Sequence, residues 1–145
     1  MNQISMNSRI LVGIQITGMA MTIWPGHFQW YPGIFVVILG GFLGLWVISF
    51  NKPGNFSIFP EPVTEGQLIT SGPYKWVRHP MYSSLILLMF GIAFINANRI
   101  NALGVLFVLI AVFNKIPREE VFLRKKYKNY PDYCRSTKKL IPGIW

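Results

Sequence analysis

Between Gly33 and Phe50 the chain runs for 18 residues without a charged side chain. A helix needs about 17–25 apolar residues to cross hydrocarbon, so this run meets the lower limit unaided. Three further apolar runs flank it, Ile10–Trp24, Tyr82–Ile95 and Ile100–Phe113. Burying all four in a water-soluble fold would need a large polar shell. The 145 residues are 52% hydrophobic and 13% charged, against about 25% charged for a soluble domain, and mean hydropathy is +0.38. That excludes an ordinary soluble enzyme and a disordered tail. The single cysteine, Cys134, excludes a disulfide scaffold. The expected fold is all-α and integral to the membrane, one domain with about four transmembrane helices.

Within residues 1–145, four segments are expected: two N-terminal spans (1–50), a loop (51–81), a helical hairpin (82–116) and an amphipathic tail (117–145). The first run is short and borrows its flanks; Arg9 precedes it, but no small-residue cleavage site precedes Trp24, so it reads as an uncleaved span. Trp24-Pro25-Gly26 and Tyr31-Pro32-Gly33 bracket the first connection, with aromatics suited to an interfacial belt. His27 lies among them and reads as an interfacial side chain. Asn96-Ala97-Asn98-Arg99 forms the turn of the hairpin.

The net charge is +9, and nine of the 14 basic residues lie between Lys115 and Lys139. A basic cluster directly after a hydrophobic hairpin contacts lipid head groups and sets topology, and argues against nucleic acid as a partner. Arg9, Lys52, Lys75, Arg78 and that cluster fall on one side of a four-span chain, leaving Arg99 on the other. Both termini and the loop are therefore expected in the cytoplasm, making this a multi-pass protein. Four thin spans would gain from assembly into a homo-oligomer.

The loop is too long for an ordinary connection and holds Pro53, Pro60, Pro62, Pro73 and Pro80, with Asn51-Lys52-Pro53-Gly54 as a turn. It reads as irregular backbone folded against the membrane face. Pro117 suits the first turn of a tail helix, with Glu119 and Glu120 on its positive end. Phe122, Leu123, Tyr127 and Tyr130 would give that helix an apolar face for the interface, and Pro131 would end it.

Polar residues with chemical potential gather at Gly66–Tyr82 and Lys115–Glu120, which abut opposite ends of the hairpin and so should meet. The first segment offers Arg78, His79, Tyr74, Tyr82 and backbone around glycine and proline; the second offers two carboxylates. Aromatic rings hold a sulfonium or quaternary ammonium by cation–π attraction, and carboxylates bind ammonium or sugar hydroxyls. Composition leaves S-adenosylmethionine, a nicotinamide cofactor and a lipid head group open. No metal ligand set stands out.

The stretch Ser71-Gly72-Pro73-Tyr74-Lys75-Trp76-Val77-Arg78-His79-Pro80-Met81-Tyr82 resembles the G-x-Y-x-x-x-R-H-P-x-Y signature of the isoprenylcysteine carboxyl methyltransferases and related phospholipid methyltransferases. Glu119-Glu120, Leu123, Tyr130, Tyr133 and Ile141-Pro142 resemble the same family's tail, so the likeness covers about Gly66 to Pro142. The resemblance implies a membrane methyltransferase that takes S-adenosyl-L-methionine from the cytoplasm and a lipophilic or lipidated acceptor from the bilayer. The acceptor would be an isoprenylcysteine carboxylate, a phospholipid amine or a thiol. Cofactor-binding residues would be Gly66, Gln67, Leu68, Ile69, Tyr74, His79, Pro80, Met81, Tyr82, Glu119 and Glu120. Lys115, Arg118 and Glu119 would serve catalysis, with Lys115 facing the substrate where relatives often carry arginine. Sterol reductases, which use NADPH, carry a similar R-H-P-x-Y region, so a membrane reductase is the alternative; a non-enzymatic membrane subunit is another.

Overall fold

The computed structural model describes residues 3–26 (of 3–6, the backbone only), 32–51, 55, 57–61 and 66–145. His27, Tyr31, Lys52-Pro53-Gly54 and Pro62 lie outside the described residues. The chain is all-helical among the described residues: α1 (Gln3–Ile23), α2 (Pro32–Phe50), α3 (Pro80–Asn96), α4 (Arg99–Lys126) and α5 (Tyr130–Ser136), with one 3-10 turn at Gly72–Lys75.

Local chemistry fixes the boundaries. Proline opens α2 and α3, where its missing N–H costs nothing. The α3–α4 turn is as tight as the sequence implies. Ala97 closes α3 in the left-handed region at φ 47°, and the Asn98 side chain caps α4 by accepting from the Ile100 N–H at 3.1 Å.

The helices pair as α2 with α3 and α1 with α4, and α3 also packs on α4. Both main pairs close through glycine. At the α1–α4 crossing, a Cβ on Gly104 would sit 2.5 Å from the Thr22 backbone nitrogen and 2.6 Å from the Gly18 carbonyl oxygen. Gly33 and Gly91 play the same part between α2 and α3. Small residues at crossings let helix backbones approach where no hydrophobic effect drives them together. Met89, Val105, Val108, Val112 and Ile116 form the interior cluster, joined by Leu140 from the tail.

The outer faces are apolar. Phe35 is 75% exposed and Leu45 71%, on a helix whose mean hydropathy reaches 2.4. Among the described residues two helices, α2 and α4, are long and apolar enough to cross a membrane. The two ends of the bundle differ in character. At one end Asn101, wholly buried, donates from Nδ2 to the Met21, Thr22 and Trp24 carbonyls at 2.9–3.1 Å and closes α1 onto α4. At the other, the loop and tail gather around the first turn of α3.

The first helix does borrow its N-terminal flank: it starts at Gln3, before the apolar run, and buried Ser8 in that flank donates to Glu61 Oε1 at 2.6 Å. Two expectations change. Pro117 does not begin a new helix. It lies inside α4, which continues from the apolar segment ending at Ile116 to Lys126. A proline there removes one hydrogen bond to the carbonyl four residues back, and buried Ile116 and Glu120 on either side hold the helix continuous. Glu119 and Glu120 are thus not helix N-terminal charges. Pro131 sits in the first turn of α5 rather than only ending a helix.

Candidate active site

The irregular stretch 66–79 is held by the tail through backbone and tyrosine. The N–H groups of Arg78 and His79 donate to the Lys138 and Lys139 carbonyls at 2.7 and 3.0 Å, and Lys138 donates back to Trp76 at 3.3 Å. This is a short parallel bridge between residues 77 and 138. The Tyr127 hydroxyl donates to the Gly66 carbonyl and the Tyr133 hydroxyl to the Tyr74 carbonyl, both at 2.6 Å. Asn55 and Gln67 close the other limb of the loop by a reciprocal pair of bonds at 2.8 and 2.9 Å.

With the loop fixed, the two motif segments meet. The Tyr82 hydroxyl donates to Glu119 Oε2 at 3.0 Å. The His79 ring, 4% exposed, stands between the adjacent carboxylates, Nδ1 3.7 Å from Glu119 Oε2 and Nε2 3.4 Å from Glu120 Oε1. It stacks on Tyr82 with centroids 5.8 Å apart. Arg78 turns away from solvent, donating from Nε to Glu120 Oε1 at 2.8 Å and from Nη1 to the Thr137 and Cys134 carbonyls. Burial opposes charge on both partners of that pair. The hydrogen bonds win: those from His79 and Arg78 bring Glu120 down to about 2, and Glu120 holds Arg78 above its ordinary value. Burial, with Glu119 adding to it, pushes Tyr74 up to about 12. Burial and the Glu120 charge likewise keep Tyr130 protonated far above neutrality.

These residues surround a cavity enclosing about 900 Å³ of non-atom space, its solvent-open mouth included. Gly66, Gln67, Leu68, Ile69, Tyr74, His79, Pro80, Met81, Tyr82 and Glu119 line it, so ten of the sequence candidates converge. Three do not. Glu120 lies behind the wall, 8% exposed, as the counter-ion of Arg78 and a hydrogen-bond partner of the His79 ring. Lys115, 2% exposed, donates from Nζ to Gln15 Oε1 at 2.6 Å and to the Ile58 carbonyl at 2.7 Å, which pins segment 57–61 to α1 and α4. Arg118 is half-buried and is not part of the lining either.

The lining also holds residues outside the expected cofactor and catalytic set. Asn51, Asn55, Ser57, Phe59, Pro60 and Glu61 form one wall; Leu123, Tyr127, Tyr130 and Tyr133 form another, with Arg78 between. The apolar face expected on the tail is therefore spent on the cavity: Leu123, Tyr127 and Tyr130 turn inward. A signal existed for the tyrosines, spaced every three residues at 127, 130 and 133.

A model of the phospholipid methyltransferase family matches residues 28–130. A probable protein-S-isoprenylcysteine O-methyltransferase of Oryza sativa subsp. indica is 30% identical over 117 residues, 79% of this chain and 61% of that protein. Protein-S-isoprenylcysteine O-methyltransferase B of Arabidopsis thaliana is 26% identical over 124 residues, 83% of this chain and 61% of that one. The cobalt-zinc-cadmium resistance protein CzcN of Cupriavidus metallidurans is 26% identical over 134 residues, 90% of this chain and 62% of the other. The chain thus spans about three fifths of the length of these curated relatives. The match over residues 28–130 takes in the R-H-P-x-Y stretch, both glutamates and α2, α3 and α4, and by it the chain belongs to the phospholipid methyltransferase family.

Proposed function

We propose that the protein is a membrane methyltransferase that uses S-adenosyl-L-methionine and methylates a lipophilic acceptor. One observation carries the reading: the Tyr82–Glu119 hydrogen bond at 3.0 Å joins the two motif segments around one cavity. The names of the isoprenylcysteine O-methyltransferase relatives support methyl transfer over reduction.

The donor set fits that cofactor. Glu119 keeps its side chain 28% exposed and can accept from hydroxyl or amino groups. The Gly66–Ile69 segment lines the cavity beside the rings of Tyr74 and Tyr82. The Tyr130 hydroxyl is buried with no partner among the described residues. Bound there, the cofactor supplies an electrophilic methyl on a sulfonium. The chain's part is orientation and exclusion of water, which can lower a barrier by several kcal/mol. Glu119 anchors; a carboxylate held on the sulfonium would stabilise the ground state that loses its charge. Tyr82 fixes the Glu119 carboxylate, and Arg78 with Glu120 fixes His79 at the wall. Lys115 acts from behind, through the Ile58 carbonyl, on the wall that faces the acceptor, and Arg118 adds charge beside Glu119.

In this reading α1 to α4 all cross the bilayer as one domain. The start of α1, residues 51–81 and residues 117–145 face the cytoplasm, and the acceptor enters from lipid. The exposed apolar faces support it, since water would not leave Phe35 and Leu45 uncovered.

The test is binding and turnover of the purified protein in detergent or nanodiscs. S-adenosylhomocysteine should bind by calorimetry, and labelled methyl should pass from S-adenosylmethionine to extracted lipid. Glu119→Ala should weaken cofactor binding about tenfold to a hundredfold, the worth of a hydrogen bond to a charged group. Stabilisation by NADPH and not by S-adenosylhomocysteine would overturn the reading.

A further inference from the structure

Tyr127, Tyr130 and Tyr133 all line the cavity, and their hydroxyls have unequal fates. The outer two are spent on the chain itself, Tyr127 on the Gly66 carbonyl and Tyr133 on the Tyr74 carbonyl. Tyr130 is the most buried of the three, 0% exposed, yet its hydroxyl has no hydrogen-bond partner among the described residues. Its ring is held in place: Tyr133 packs edge-on at 5.9 Å and the Arg124 guanidinium lies 5.9 Å from the ring centroid. A buried hydroxyl left unsatisfied carries an uncompensated desolvation cost, and folded proteins rarely leave one without a reason.

We infer that Tyr130 is a cofactor-binding residue whose hydroxyl is satisfied by a hydrogen-bond acceptor atom of S-adenosylmethionine or S-adenosylhomocysteine. This rests on the proposed use of that cofactor and adds a residue to it. The phenol stays protonated at neutral pH, so it enters the bond as donor. It complements Glu119, which can only accept. Between them the two walls of the cavity would read both polarities of the same ligand.

The proposal makes an unusual demand on a single deletion. Removing a hydroxyl that is unpaired without ligand should not destabilise the ligand-free protein, while it should weaken the ligand. Tyr130→Phe should melt no lower than wild type when empty, and should bind S-adenosylhomocysteine about tenfold more weakly by calorimetry, one hydrogen bond's worth. The KM for the methyl acceptor should stay unchanged. Tyr133→Phe is the comparison: it should lower the melting temperature of the empty protein, because its hydroxyl already holds Tyr74. Equal affinity in Tyr130→Phe would overturn the proposal. So would a fall in the stability of empty Tyr130→Phe, or its failure to fold, since the hydroxyl would then have a partner in the chain. Absence of S-adenosylhomocysteine binding by the wild type would instead remove the functional reading, and this inference with it.

Discussion

At the scale of single residues, the chain's few acids do separate jobs. Glu120 is structural. It is the counter-ion of Arg78 and also bonds the His79 ring, and removing one partner of a buried pair strands the other. Arg78→Leu should therefore cost about 3–5 kcal/mol of stability, read as loss of thermal resistance in detergent. Arg78→Lys should recover only part, because an ammonium cannot serve Glu120 and the Thr137 and Cys134 carbonyls with a fixed planar fork. The same pair sets an acid limit. Glu120 has its folded pKa brought down to about 2 from an ordinary 4.5, so it binds protons more readily in the unfolded chain. Its contribution is complete above about 4.5 and is lost as pH falls towards 2. Melting temperature in wild type should fall across that window, and Glu120→Gln should flatten this part of the profile. Glu119, by contrast, opens to the cavity, and its loss should register in ligand affinity before stability.

At the scale of elements, what spacing revealed and what it concealed divide along physical lines. The apolar runs located four helices and the α3–α4 turn, because hydrophobic length and a capped polar turn are local properties. The meeting of Tyr82 with Glu119 was also legible, since hairpin ends must lie together. The continuation of α4 through Pro117 was not. A local rule assigns proline to a helix start, and only the burial of Ile116 and Glu120 against other elements overrides it. Nor could Lys115 be placed from sequence, because its partners Gln15 and the Ile58 carbonyl lie 100 and 57 residues away. Helix crossings give a test of their own. Gly104→Ala puts a Cβ 2.5 Å from Thr22 and should cost about 1–3 kcal/mol by overpacking. Gly13→Ala, with nothing within 4 Å, should be neutral or stabilise by about 0.5–1 kcal/mol through helix propensity. Unfolding of the two variants in mixed detergent decides between them.

At the scale of the whole molecule, polarity is the organising fact: one end carries the site, and the other carries the Asn101 cap and the α3–α4 turn. If four helices cross the bilayer, those ends lie in different compartments. A cysteine placed at Asn98 and one at Gly143, each in a Cys134→Ser background, should react with an impermeant thiol reagent from opposite sides of sealed vesicles. Labelling of both from one side would reduce the number of crossings.

The bridge between residues 77 and 138 also dictates a sequence of events during synthesis. The R-H-P-x-Y stretch leaves the ribosome about sixty residues before its bridge partner, and α3 and α4 are synthesised in the interval. Until residues 133–140 emerge, the loop lacks the carbonyls of Thr137, Lys138 and Lys139 and the hydroxyl of Tyr133 that hold it. A nascent chain therefore carries its motif unassembled. The pocket closes as a late event, after α3 and α4 are made, so if the hairpin crosses the bilayer, membrane integration and the capacity to bind ligand should be separable steps in a timed translation.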